Sequence, residues 1–331
     1  MKKLIVVGES FSDPLSISYG PKIKRVHDGS KIKSILETKF PIWPDILGEK
    51  LDMKVINLSQ GGTGNDYNLS VILDLLATEK NKEDIGLIIS AWAGTQRMDF
   101  ELEIPYNNVD KIAYDKGELE SNHHFFNWDG VVCRKNMRFR RWPDDAQCSA
   151  FGTPASRADH PYESAVTDQT WKDDIYEILE KNGMFTERMR VKKTLRTLYA
   201  FQQIMENENL DYFSIGTRFP KPSLWPEPEL DSSYGTGHQE MIETILDSDY
   251  YDVMDEKKFL GWPMVTELGG FDIDKILAKH DPTKKINRVD GNVRPGRPEG
   301  WVVDAHPNKL GHEQIAEYFH GEYKKVYAKT N

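Results

Sequence analysis

Four short apolar runs, rich in β-branched, leucine or aromatic residues, constrain the fold of this chain more than any other feature. Runs of this length and composition are typical of strands that are buried on both faces of a parallel sheet. They lie at residues 4–8, 53–58, 85–90 and 210–216. The sequence therefore predicts a sheet of parallel strands in the interior of the protein.

Apolar residues recur at helical spacing after or before each of these runs. The helical segments begin at Trp43, after Asp66 and at Glu187, and the last covers residues 309–329. A strand, a glycine-containing turn at residues 61–64 and a helix in succession form the repeating unit of a doubly wound α/β fold. Helices are therefore expected to cover the sheet.

Composition and charge exclude several classes of protein. The chain has 331 residues with 43 Lys and Arg against 53 Asp and Glu, a net charge of −10, which argues against nucleic-acid binding through the overall field. No apolar stretch approaches the roughly 18 residues of a membrane span, and the first apolar run is too short for the core of a signal peptide. A cytoplasmic protein with no membrane partner is expected, unless a lysis pore or another route exports it. Association with a virion is the alternative setting.

Metal and disulfide chemistry are not indicated by the cysteines. Cys133 and Cys148 are the two cysteines of the chain, and neither belongs to a His/Cys cluster with the spacing of a zinc site. The sequence leaves open whether these two cysteines form a disulfide bridge. His123 and His124 have no companion carboxylate pattern, so neither metal nor organic cofactor is expected.

A serine and a histidine far apart in the chain supply the elements of a nucleophilic site. Ser10 comes directly after the first predicted strand, where loops leaving a parallel sheet bind ligands. A hydroxyl needs a base within hydrogen-bond reach and a third group to orient that base. His306 and Asp304 supply these two groups.

Each of these residues also has a structural interpretation. Ser10 could cap a following helix, His306 could bond within a turn before Pro307, and Asp304 could cap the last helix. Ser12 is a weaker alternative nucleophile, and His312 is expected to be structural. The glycine turn at residues 61–64 could instead hold a phosphate, although it lacks the order of the known phosphate-binding motifs.

Taken together, these segments resemble the SGNH (GDSL-type) hydrolases over roughly half of the chain. Residues 8–13 resemble the first block of that family, residues 57–62 the second, and residues 304–308 with Gly311 the last. The resemblance implies a flavodoxin-like three-layer α/β/α fold, with Ser10 as nucleophile, His306 as base and Asp304 as its orienting carboxylate. It also implies that the backbone N–H groups of Ser10 and Gly62 bind the oxyanion.

Three departures from the family pattern concern the same site. Glu9 stands where the family has an aspartate, and Asp304 and His306 are two positions apart where three is common. In the third block Gln96 occupies the place of an asparagine that donates to the oxyanion. Losing one oxyanion donor typically slows the reaction by about 10²- to 10³-fold. Gln96 or the hydroxyl of Thr95 could supply the missing hydrogen bond.

The predicted core is formed by residues 1–97, 185–218 and 301–331, with large insertions at residues 98–184 and 219–300. The first insertion is a candidate lid and the second a candidate substrate wall. Both contain tryptophans that could stack on sugar rings or fill the insertions themselves. These are Trp128, Trp142, Trp171, Trp225 and Trp262.

The expected function is that of a serine esterase that removes a small acyl group, such as acetyl, from a carbohydrate or similar polar substrate. The alternative is a non-catalytic protein that uses the hydrolase scaffold for carbohydrate binding or as a structural part of a virion. The sequence does not indicate the oligomeric state, because one fold hosts many functions and assemblies.

Overall fold

A parallel sheet lies at the centre of the protein, in a computed structural model that describes residues 1–13, 22–28, 31–37, 39–59, 64–95, 181–182, 186–217, 233–283, 286–293 and 302–327. In chain order its strands are β1 (Lys3–Gly8), β2 (Lys22–Asp28), β3 (Lys31–Glu37), β4 (Lys54–Asn57), β5 (Ile85–Trp92), β6 (Tyr212–Gly216), β7 (Phe259–Leu260), β8 (Arg288–Val293) and β9 (Val302–Pro307). The helices are α1 (Trp43–Leu51), α2 (Asn65–Thr78), α3 (Glu187–Asn207), α4 (Ser233–Leu246), α5 (Ile273–His280) and α6 (Lys309–Val326).

The central sheet has five parallel strands in the spatial order β4-β1-β5-β6-β7. Along the chain this is the order second, first, third, fourth and fifth, which is that of a flavodoxin-like doubly wound sheet. The prediction of an α/β fold with a central parallel sheet is confirmed. The direction of winding reverses between β1 and β5, so a crevice at the carboxyl ends of these strands is the expected place for a ligand.

Two hydrophobic clusters cover the two faces of the sheet. One contains Ile5 and Val7 of β1 together with residues of α2, α3 and α4. The other contains Leu4 and Val6 together with residues of α1, α5 and α6. Alternate residues of β1 thus point to opposite faces, and both faces are apolar, which explains the uninterrupted apolar run. Burying each large apolar side chain contributes roughly 1.5–3 kcal/mol.

Part of the range predicted as the second insertion contributes to this core. β7 pairs with β6 in the central sheet. Met241 of α4 and Phe259 of β7 belong to the first cluster, and Ile273 of α5 belongs to the second. The sequence did not indicate this because β7 is two residues long, too short to form a recognisable apolar run.

Two antiparallel hairpins accompany the sheet in the described ranges. β2 pairs with β3, and β8 pairs with β9. The first predicted insertion, residues 98–184, falls outside the described residues except for residues 181 and 182. None of the described helices has the length and apolar character needed to cross a membrane.

Candidate active site

Ser10 lies just beyond the carboxyl end of the central strand β1, beside the reversal point of the sheet. Its side chain is partly exposed, whereas the strand behind it is buried from Leu4 to Gly8. At Gly8 a Cβ atom would lie 3.0 Å from the Cβ of Ala91 and 3.0 Å from the hydroxyl of Ser12. Glycine therefore lets the chain pass close to β5 as it turns toward Ser10.

The turn that carries Ser10 is fixed by the buried residue Ser12. The backbone N–H of Ser12 donates to the carbonyl of Glu9 at 2.9 Å, and the carbonyl of Ser12 accepts from the Nδ2 of Asn57 at 2.7 Å. The hydroxyl of Ser12 accepts a hydrogen bond from the indole N–H of Trp43 at 3.2 Å. Ser12 is fully buried and holds the loop in place, so the structure does not support it as an alternative nucleophile.

His306 contacts Phe11, the residue that follows Ser10, although 296 positions separate His306 from Ser10 in the sequence. The rings of Phe11 and His306 meet edge to face with their centroids 5.2 Å apart. The imidazole is partly exposed, and its Nε2 atom is buried. The predicted nucleophile and the predicted base thus lie in the same part of the molecule.

Asp304 and His306 both belong to β9, an element that the sequence did not predict. In the β8–β9 hairpin Asp304 lies opposite Asp290, and Pro307 lies opposite Arg288. The alternative interpretations of these residues are wrong. His306 is in a strand and not in a turn, and the cap of α6 is Asn308, whose side chain accepts from the N–H of Gly311 at 3.1 Å.

Asn308 also ties the hairpin to the start of α6. Its Nδ2 donates to the carbonyl of Ile286 at 2.8 Å and to that of Arg288 at 2.9 Å, and its backbone N–H donates to the carbonyl of Asn287 at 3.1 Å. One side chain therefore caps a helix and holds β8 beside it. This positions β9, and with it His306, relative to the helix.

His312 is a buried structural histidine, as the sequence predicts. Its Nδ1 accepts a hydrogen bond from the backbone N–H of Trp43 at 3.1 Å, which places the proton of the neutral ring on Nε2. Burial, and after it the nearby charge of His306, lowers the pKa of His312 to about 3. His312 is therefore neutral at physiological pH and does not compete with His306 for a proton.

The end of β5, which leads into the third predicted block, is held by two asparagines of α2. Asn65 accepts from the N–H of Ala93 at 2.8 Å and donates to its carbonyl at 3.1 Å. Asn68 donates to the carbonyl of Ala91 at 3.2 Å. The two bonds to Ala93 replace the backbone pairing that ends with β5, whereas Asn68 bonds to a residue inside the strand. The sequence assigned no role to either asparagine, because Asn65 ended the glycine-containing turn and Asn68 stood within the predicted helix.

Thr95 is buried, with 3% of its surface exposed, and its hydroxyl donates to the Oε1 of Glu187 at 3.2 Å. The hydroxyl predicted as an oxyanion donor is thus already engaged with the first residue of α3. Gln96 and Gly62, the other predicted donors, lie outside the described residues, as does most of the glycine turn. Gly64, its last residue, precedes α2 as the N-cap.

A small polar cleft adjoins Thr95 between α2 and α3. It is lined by Asn65, Thr95 and Arg190 among other residues. Its cations are paired, because Lys193 binds Asp66 at 2.5 Å and Arg190 binds Glu187. Arg188 lies near Asp247 in the same way, so three of the cations in the first turns of α3 have carboxylate partners.

Comparison with known proteins does not assign this chain to a family. No protein-family model matches this chain. No curated protein matches it either. Among the described residues, no group of three or more His, Cys, Asp or Glu side chains is placed to hold a metal ion. The arguments for a function therefore rest on the residues and their geometry.

Proposed function

We propose that this protein is a serine esterase of the SGNH type that removes a small acyl group by way of an acyl-enzyme. The observation that carries the proposal is the edge-to-face contact of His306 with Phe11, the residue that follows Ser10 beyond the carboxyl end of the central strand. A serine and a histidine at the reversal point of a doubly wound sheet suit nucleophilic acyl transfer.

In the proposed reaction Ser10 Oγ attacks the ester carbonyl and His306 takes the hydroxyl proton. The C–O bond to the alcohol then breaks, and His306 returns the proton to the leaving oxygen. Asp304 orients the imidazole. The oxyanion rests on the N–H groups of Ser10 and Gly62, with Gln96 as a further donor, and a water molecule later hydrolyses the acyl-enzyme.

The proposed substrate is an acetyl or similar small ester of a carbohydrate or another polar alcohol. Trp262, one of the tryptophans considered for stacking on sugars, is in the core and donates its N–H to the carbonyl of Tyr251 at 3.1 Å. It is therefore no longer a candidate. The remaining four lie outside the described residues.

A non-catalytic binding or structural role is the second candidate. The observation that favours it is the bond from Thr95 to Glu187, because a hydroxyl that is already donated is a poor oxyanion donor. In this role the protein would have the same fold but would not hydrolyse esters.

Hydrolysis of p-nitrophenyl acetate by the protein and by Ser10→Ala separates the two candidates. We expect turnover and covalent labelling by a fluorophosphonate at Ser10, and both should vanish in Ser10→Ala. Ser248→Ala is the matched control, since the hydroxyl of Ser248 bonds to the carbonyl of Ile245 at 2.7 Å, at the end of α4. Well-folded protein that neither turns over nor is labelled at Ser10 would favour the non-catalytic role.

A further inference from the structure

Glu9 is a buried acid that the proposed mechanism does not use. Only 4% of its surface is exposed, although it directly follows β1 at the edge of the candidate site. Ionised carboxylates are rarely buried, because leaving water costs several kcal/mol unless the charge is bonded. A buried acid in such a place therefore needs a physical reason.

The hydroxyl of Ser10 donates a hydrogen bond to the Oε2 of Glu9 at 2.7 Å. This distance is within the range of a charge-assisted hydrogen bond between a hydroxyl and a carboxylate. The contact joins an acid directly to the atom that would act as nucleophile. It also lies within hydrogen-bond reach for proton transfer, which is the first requirement for a general base.

The backbone holds this pair in place from both sides. Gly8 is paired with Ala91 in the central sheet, and the carbonyl of Glu9 accepts from the N–H of Ser12. Ser12 is in turn bound by Trp43. Glu9 and Ser10 are therefore carried by a fixed turn, and no loop movement is needed to bring the carboxylate to the hydroxyl.

We propose that Glu9 is a second general base for Ser10, an inference that rests on the esterase function proposed above. As the bond from Oγ to the acyl carbon forms, the O–H bond of Ser10 breaks and its proton passes to the Oε2 of Glu9. The π electron pair of the carbonyl moves to its oxygen. The oxyanion's electron pair then re-forms the carbonyl as the C–O bond to the alcohol breaks, and the proton passes from Glu9 to the leaving oxygen, so that Glu9 ends as the carboxylate.

Two bases next to one hydroxyl predict that the loss of His306 leaves residual reactivity at Ser10. Labelling by a fluorophosphonate measures this step directly, because Ser10 Oγ forms a bond to phosphorus as fluoride leaves. The rate constants to compare are those of the unchanged protein, Glu9→Gln, His306→Ala and the double variant. Glutamine keeps an acceptor oxygen at the same reach but is not a base, so Glu9→Gln separates proton transfer from positioning.

We expect His306→Ala to be labelled slowly and the double variant to be labelled at least about tenfold more slowly than His306→Ala, a threshold set below the roughly 10²- to 10⁴-fold that a general base typically contributes. Asp13→Asn is the matched control, since Asp13 is a buried carboxylate of the same loop. Combined with His306→Ala, Asp13→Asn should change the rate of labelling by less than about threefold. If Glu9→Gln does not fold, Glu9→Asp retracts the carboxylate by one methylene and should also slow the labelling of His306→Ala.

The outcomes distinguish this inference from the proposed function. Equal labelling of His306→Ala and the double variant would overturn Glu9 as a base and leave the esterase intact. An equally large loss in Asp13→Asn would also overturn it, because the effect would then belong to the loop. Folded, unchanged protein that is not labelled at Ser10 would overturn the esterase and this inference together.

Discussion

Single polar side chains fix the loops that leave the carboxyl edge of the sheet. Ser12 accepts from Trp43, Asn57 donates to the carbonyl of Ser12, and Asn65 bonds both backbone groups of Ala93. Each bond satisfies a polar group that would otherwise be buried without a partner, which typically costs about 1–3 kcal/mol. Several polar residues near Ser10 are therefore structural, and residue type alone does not separate them from catalytic ones.

His312 makes the stability of the protein depend on pH. Above pH 6.5 the ring is neutral in both folded and unfolded chains, so it has no effect on the pH dependence. Between pH 6.5 and about 3 the unfolded chain takes up a proton that the folded protein does not. The free energy of unfolding then falls as pH falls, by up to about 1.4 kcal/mol per pH unit for this group.

We expect His312→Asn to show a shallower loss of stability than the unchanged protein between pH 6.5 and 5. Asparagine retains an acceptor for the N–H of Trp43 but has no group that titrates in this range. Urea unfolding at several pH values gives the two slopes, and comparing slopes removes any constant cost of the substitution. Identical slopes would show that His312 is protonated equally in both states.

At the scale of elements, a buried ion pair attaches the β8–β9 hairpin to α5. Arg288 of β8 binds the Oδ1 of Asp274 at 2.7 Å, and both side chains are almost completely buried. Arg288 also donates to the Oδ1 of Asn287 at 2.9 Å. Because β8 pairs with the strand that carries His306, this attachment contributes to the placement of the candidate base.

Breaking this pair from one side should be costly. Asp274→Ala removes the carboxylate that binds the buried guanidinium of Arg288, and we expect a loss of about 3–5 kcal/mol in the free energy of unfolding. Replacing both partners, with Arg288→Met and Asp274→Leu, should recover most of that loss. Chemical denaturation of the three proteins measures these differences.

The exposed pair of Lys50 with Glu317, at 2.7 Å, provides the control for the buried pair. Its partners face solvent, so Glu317→Ala should cost less than about 1 kcal/mol. A similar small loss for Asp274→Ala would mean that the hairpin does not depend on its buried ion pair.

At the scale of the whole molecule, α6 closes one face of the sheet and joins distant parts of the chain. The ring of Phe319 in α6 stacks on Trp43 of α1, with the two ring centroids 4.8 Å apart. It also packs near Phe213 of β6, where the ring centroids are 6.5 Å apart. It is fully buried in the second hydrophobic cluster. The stability of the sheet and that of the last helix should therefore be coupled.

Phe319→Ala should lower the free energy of unfolding by about 3–5 kcal/mol, because it removes buried surface and leaves a cavity. Leu310→Ala is the control on the same helix, since Leu310 is 41% exposed and should cost less than about 0.5 kcal/mol. Thermal unfolding followed by circular dichroism measures both. Comparable midpoints for the two variants would contradict the role assigned to Phe319.

Sequence alone determined the elements whose signal is local. The apolar runs predicted β1, β4, β5 and β6, and helical spacing predicted α1, α2, α3 and α6 close to their observed bounds. Periods of two and 3.6 residues depend on neighbours within a few positions, so they can be read from the chain. The placement of Ser10 at the end of a strand followed from the same local pattern.

Only the tertiary structure decided the contacts between distant segments. It added β7 to the sheet, formed the β8–β9 hairpin and placed His306 against Phe11. It also turned the carboxylate of Glu9 onto the hydroxyl of Ser10. Such contacts depend on which surfaces pack together and on which polar groups burial forces to find partners, and neither is encoded in the spacing of residues along the chain.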